Sequence, residues 1–141
     1  MELTFESLQI EDIFQLKEIV EGFMQFNPEQ IRAFLSEKQN IALVAKIDCK
    51  VIGLIYGYAL TRMDGRAVQF FIYSVDIHSD YQDRGCGTQF MQFAVEWVKE
   101  NGFSESFVPT DKDNPRACRV YEKAGMKYSD NDCGRIYVIE Y

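Results

Sequence analysis

The sequence predicts an α/β (α+β) domain, a mixed β-sheet layered with helices, and three observations carry that expectation. Apolar runs of strand length alternate with amphipathic helical stretches along the chain. Residues 67–77 (AVQFFIYSVDI) pass through the glycine-bearing turn YQDRGCG into a helix and then another strand-like run, the order of a βαβ unit with parallel strands. No repeat, low-complexity tract or Pro/Gly/Ser-rich linker breaks the pattern, so residues 1–141 read as one domain.

Each element has a local reason. LTFESLQI, residues 3–10, alternates loosely as a strand does. Over residues 11–23, Ile13, Leu16, Ile19, Val20 and Phe23 recur at helical spacing, and Pro28 sits where a second helix can begin. IALVAKID and KVIGLIYGYAL read as paired strands joined by a short turn at residues 48–50, with Gly53 and Gly57 marking bulges or close approaches. Residues 67–77, rich in aromatic and branched side chains, suit a central strand. In the following helix Phe90, Phe93, Ala94, Trp97 and Val98 make one apolar stripe, closed by Asn101-Gly102. ESFVPT reads as a strand, PRACRVYEKAG as a helix stopping at Gly125, and RIYVIEY as a closing strand.

Composition narrows the function. A net charge of -7 repels nucleic-acid phosphates and favours a cationic small molecule or basic peptide as partner. Cys49, Cys86, Cys118 and Cys133 form no CxxC pair, so neither zinc nor a disulfide framework is expected. Residues 1–30 lack a basic stretch followed by an apolar core, and no apolar run approaches membrane-spanning length. A cytoplasmic protein with reduced thiols and no membrane partner is the expectation.

The turn Gln82-Asp83-Arg84-Gly85-Cys86-Gly87-Thr88 feeds a helix N-terminus, where unpaired amides and a partial positive charge can cradle phosphate oxygens. A lone GxG is equally an ordinary tight turn. No Gly-Lys-Ser/Thr follows, which excludes a Walker P-loop, and Phe90 stands where a dinucleotide fingerprint needs its third glycine.

The turn combined with a second stretch is more specific. Gln82-x-x-Gly85-x-Gly87 after a strand, followed by Asn114-x-x-Ala117-x-x-x-Tyr121-x-x-x-Gly125-Met126, resembles the acetyl-CoA signature of the GNAT N-acetyltransferase superfamily. The resemblance implies a mixed sheet of about six to seven strands with helices on both faces, its fourth and fifth strands splayed to admit the pantetheine arm of acetyl-CoA. Pro109 gives independent support, since a residue without an N–H should interrupt pairing near that point.

What the resemblance implies for single residues is specific. Gln82, Asp83, Arg84, Gly85, Cys86, Gly87 and Thr88 would form the pyrophosphate loop, with the Asp83 carboxylate turned outward. Val75 and Ile77 would lend backbone groups to the pantetheine and the thioester carbonyl, a role in which one donor is worth roughly 3 to 4 kcal/mol of barrier. Asn114 would bond the cofactor arm, or cap its own helix, or both. Tyr121, two turns along the same face, would be the general acid toward the departing thiol, since a phenol of pKa about 10 keeps its proton at neutral pH.

The amine must lose a proton, and here the chain departs from the family, with Phe71 at a position often acidic. Asp76, Tyr73 and Ser74 are the nearby candidates for the base, and His78 lies just past the strand end. FFIYSVDI is also similar to the strand of the aminoglycoside 3-N-acetyltransferase branch, whose members carry aspartate where this chain has Ser74. The expected function is acetyl transfer from acetyl-CoA to a primary amine of an aminoglycoside-like or polyamine-like molecule or a peptide. The alternative is a non-catalytic acyl-CoA-binding module. A homodimer is expected on the resemblance alone.

Overall fold

In the computed structural model, which describes residues 2–66, 68–111, 113–128 and 137–141, the strands form one sheet in the order β1-β2-β3-β4-β5. β1 (Leu3–Ser7), β2 (Asn40–Ile47), β3 (Lys50–Leu60) and β4 (Gln69–Ile77) run antiparallel to their neighbours, and β5 (Glu105–Phe107) lies parallel to β4. A 3₁₀ segment (Ile10–Leu16) leads into α1 (Lys17–Val20), and α2 (Pro28–Ser36), α3 (Cys86–Glu100) and α4 (Pro115–Lys123) follow.

Strand alternation builds a core on each face of the sheet. Ile41, Leu43, Ala45 and Ile47 of β2 point to α3, where Phe90, Met91, Ala94 and Val98 meet them. Ala42 and Val44 point the other way, against Leu16, Ile19 and Val20. Lys46 pins the second layer to the sheet, its Nζ lying 2.6 Å from Asp12 of the 3₁₀ segment and 2.5 Å from Glu6 of β1.

Two bulges break the alternation. The β2–β3 register slips between Ala45 and Lys46, so Ile52 is an extra residue in β3; Val51 and Leu54 share one face while Ile52 and Ile55 share the other. The β3–β4 register slips at Tyr56/Gly57, making Tyr73 the extra residue of β4. Upstream of it Phe70 and Ile72 face α3; downstream Val75 and Ile77 do, and Ser74 and Asp76 turn to the opposite face. The bulge thereby decides which side chains the end of β4 presents.

The hairpin, the helix α3 and the start and stop of α4 agree with the sequence reading. The β2–β3 turn uses Asp48 and Cys49, both left-handed at φ 50° and 69°, the conformation of a two-residue hairpin loop. Three expectations need correction. The helix over residues 11–23 is instead a 3₁₀ segment and one turn of α1, stopped before the left-handed Gly22, and Phe23 is exposed. ESFVPT contributes only Glu105–Phe107, ending two residues before Pro109. The closing strand does not form over Tyr137, Val138, Ile139 and Tyr141, which are exposed and pair with no strand. The described sheet accordingly has five strands where about six to seven were expected. Ala67, Cys133 and the first two residues of RIYVIEY lie outside the described residues.

Among the described residues no helix is long and apolar enough to cross a membrane. Gly57 marks the tightest backbone approach, since a Cβ there would lie 1.9 Å from the Phe71 carbonyl oxygen. Gly57→Ala is expected to cost at least about 2 kcal/mol in denaturant unfolding by forcing β3 and β4 apart; an unchanged midpoint would contradict the close approach.

Candidate active site

The site begins where β4 loses its outer neighbour. β5 pairs with β4 only at Gln69↔Glu105, Phe70↔Ser106 and Phe71↔Phe107, and β4 then continues to Ile77 without it. The His78 N–H bonds the Ile52 carbonyl at 2.8 Å, so by strand alternation the backbone groups of Val75 and Ile77 turn away from β3, toward the open side. The Gln82 side chain reaches the Ile77 carbonyl there at 2.9 Å.

The glycine turn sets up the second wall. Asp83 at φ 60° and Gly85 at φ 81° reverse the chain into α3. The first intrahelical bond runs from the Gln89 N–H to the Gly85 carbonyl, so the amides of Cys86, Gly87 and Thr88 precede any acceptor in their own helix. The two Asn-Pro helices differ, because Asn27 caps α2 through the Gln30 N–H and Asn114 caps α4 through the Ala117 N–H. α3, with glycine at its cap, has no such side chain.

A cleft of about 770 Å³ lies between the end of β4, this loop and α4. It gathers Val75, Asp76, Ile77, Gln82, Asp83, Gly85, Gly87, Thr88, Asn114 and Tyr121 from the sequence reading. Arg84 and Cys86 are not in its lining. Arg84 leans on the Tyr81 ring, 5.9 Å from its centroid, and the Cys86 side chain is buried in the core, leaving its backbone amide for the loop. Asp83 points largely to solvent, and Arg116 pairs with it at 3.3 Å while donating to Gln82 at 2.7 Å.

Arg116, Arg119 and Lys123 were absent from the sequence reading, yet all line the cleft. Their three- and four-residue spacing along PRACRVYEK puts them on one face of α4, and that spacing was the available signal.

Tyr121 stands between this cleft and a second hollow of about 750 Å³ lined by Phe107, Pro109, Cys118 and Met126. Burial, with smaller effects from Asp76 and Cys118, pushes its phenol above the ordinary tyrosine value, so it stays protonated well past neutral pH. Asp76 is likewise held above the ordinary aspartate value by burial, opposed by a hydrogen bond from Ser74 Oγ at 2.5 Å. Its charge is felt by both Tyr56 and Tyr121, so it lies at the junction of the aromatic face and the cleft.

Tyr73 is 61% exposed and packs against Tyr56, Tyr58 and Phe71, outside the cleft lining. Phe71 stacks on Phe107 at 5.1 Å. His78 serves its own turn: Nδ1 accepts from the Asp80 N–H at 3.2 Å, and Nε2 lies 3.6 Å from Glu18.

Residues 8–126, most of the chain, match the family described as Acetyltransferase (GNAT). The chain belongs to that family. A GNAT relative, streptothricin acetyltransferase A of Bacillus subtilis, is 28% identical over 108 residues, 72% of this chain and 56% of its own length. A probable N-acetyltransferase camello of Xenopus tropicalis is 24% identical, covering 70% of this chain and 43% of its own. The chain thus spans about half the length of these curated relatives.

Among solved structures, an aminoglycoside acetyltransferase from an uncultured soil metagenomic sample, in complex with sisomicin, superposes with TM-score 0.81 at 19% identity, covering 98% of this chain and 97% of the other. A ribosomal-protein-alanine N-acetyltransferase from Brucella melitensis biovar Abortus gives TM-score 0.79 at 16% identity over 99% and 100%. At these identities the likeness shows the GNAT fold itself.

An acid whose folded-state pKa is raised is an ionised liability in the fold: the stability tied to its proton is present below the unfolded value and lost as pH rises through the folded one. Asp76→Asn is therefore expected to melt at or above the wild-type temperature at pH 7, with the difference closing below roughly pH 3. Thermal unfolding followed by circular dichroism checks this, and a lower melting temperature at pH 7 would show the carboxylate to be structurally required.

Proposed function

We propose that this domain is an N-acetyltransferase that takes its acetyl group from acetyl-CoA and passes it to a primary amine of a small cationic molecule or peptide. The observation that carries the reading is the meeting, in one cleft, of uncapped α3 amides, an unpaired β4 edge, Tyr121 and Asp76.

The residues present fit such a donor. The amides of Cys86, Gly87 and Thr88 would hold the diphosphate, and the cations of Arg116, Arg119 and Lys123 supply a positive field at that end. A Cβ on Gly87 would stand 3.7 Å from Val120 and 3.8 Å from Ile77, so the bare glycine keeps this space open. The Val75 and Ile77 backbone groups, turned to the open side, would hold the pantetheine arm as a further strand holds its neighbour.

When bound, acetyl-CoA supplies an acetyl thioester activated toward amine attack. Asp76, in the cleft lining, would take the proton of the incoming ammonium, directly or through one water, and its raised pKa moves it toward the working range of a base. Tyr121, protonated at neutral pH, holds a proton at the cleft wall for the leaving sulfur. Tyr73, exposed and outside the lining, is better placed to meet the acceptor than to move its proton. The net charge of -7 favours a cationic acceptor.

Two variants separate the roles. Gly87→Val is expected to abolish CoA binding in calorimetry, with thermal unfolding of the variant confirming that it is folded; undiminished binding would refute the loop assignment. Tyr121→Phe is expected to lower turnover by about 10²-fold or more in a thiol-release assay with CoA affinity retained. Unchanged turnover would remove the phenol from the mechanism, and tight CoA binding without turnover on any amine would leave a binding module.

A further inference from the structure

On the face of the sheet opposite α3, a run of aromatic rings lies beside the cleft and takes no part in the chemistry above. Tyr58 is at its centre, its ring centroid 5.7 Å from Phe34, 6.2 Å from Phe71 and 6.0 Å from Tyr73. Tyr56 extends it, 5.5 Å from both Phe34 and Tyr73. Phe107 extends it at the other edge, its ring within 7° of parallel to Phe71. Rings from α2, β3, β4 and β5 thus converge on one surface.

A core cluster would be closed from water, and this one is not. Tyr73 is 61% exposed and Phe107 37% exposed. Tyr73 is the bulged residue of β4, so the irregularity in the ladder also determines how its ring is offered.

Asp76 turns to this same face and is electrically coupled to Tyr56 on one side and Tyr121 on the other. Tyr73 and Asp76 are three residues apart in β4, close enough for one small ligand to touch both. Among the described residues lining the cleft the carboxylates are Asp76 and Asp83, and Asp83 is paired with Arg116, which leaves Asp76 for an ammonium. One carboxylate pairs with one ammonium, and π faces gain most from another flat ring laid on them.

We propose that this aromatic surface is the acceptor subsite, and that it selects a primary monoamine carried on an aromatic body, an arylalkylamine, over polyamines and aminoglycosides. The ring stacks at Tyr58 and Tyr73, and the ammonium reaches Asp76 beside the cleft. The proposal rests on the acetyltransferase reading for what happens to the amine after it binds, and the binding step can be tested without turnover.

The test is calorimetric binding of phenethylamine, n-propylamine, spermidine and an aminoglycoside to the CoA-saturated protein, repeated without CoA. Phenethylamine is expected to bind about tenfold more tightly than n-propylamine, the size of a strong ring–ring contact, and more tightly than either polycation at physiological salt. Tyr58→Leu and, separately, Tyr73→Leu are expected to shrink that advantage to about twofold while CoA affinity holds. Tighter binding of spermidine or the aminoglycoside, or an advantage that survives both substitutions, would overturn the proposal. Loss of CoA binding in the wild type would instead indict the donor reading, and the CoA-free titration would still judge the aromatic surface.

Discussion

The parting of β5 from β4 after Phe71 and Phe107 is the constraint on which the rest of the site depends. A sheet that stayed paired would spend the Val75 and Ile77 backbone groups on a neighbouring strand. Pairing stops because β5 is three residues long and Pro109 follows, so the ladder has no donor with which to continue. The Phe71–Phe107 stack holds the last paired rung together. The strand edge and the α3 amides then face the same space, and a ligand with a polar arm and a charged end satisfies both.

The bulge at Tyr73 adds a second level of control. Without it, Ser74 and Asp76 would point into the α3 core, where an unpaired carboxylate is costly, and Val75 and Ile77 would point to the acceptor face. With it, the apolar pair packs under the cleft and the carboxylate stands at its mouth. The charge distribution divides in the same way. A chain of net charge -7 concentrates Arg116, Arg119 and Lys123 along one helix face of the cleft, so that face carries a field opposite in sign to the average surface.

Much of this was legible in the sequence, for identifiable reasons. The β2–β3 hairpin, α3 and α4 have strong local signals: branched apolar runs around a short turn, an unbroken stripe from Phe90 to Val98, and an Asn-Pro start with a Gly stop. The 3₁₀ segment was hidden because Ile13 and Leu16, three apart, satisfy a three-residue turn as well as an α-helical one. The bulge at Tyr73 was hidden because a register slip depends on the neighbouring strand, here on Gly57 lying against the Phe71 carbonyl. The glycine turn and the α4 motif stand out in the sequence only because they occur together, whereas Arg116, Arg119 and Lys123 gain meaning only once the packing of α4 gives their face a cleft to line. The closing strand failed because alternation in a sequence says nothing of whether an edge is offered to pair with it.

The central claim is that the first amides of α3 and the free edge of β4 hold a diphosphate-bearing thioester carrier between them. Backbone amide NMR during a titration with CoA tests it most directly. The account predicts that the resonances of Cys86, Gly87, Thr88, Val75 and Ile77 move together and saturate at one dissociation constant. Shifts confined to another surface, or none at all, would contradict it.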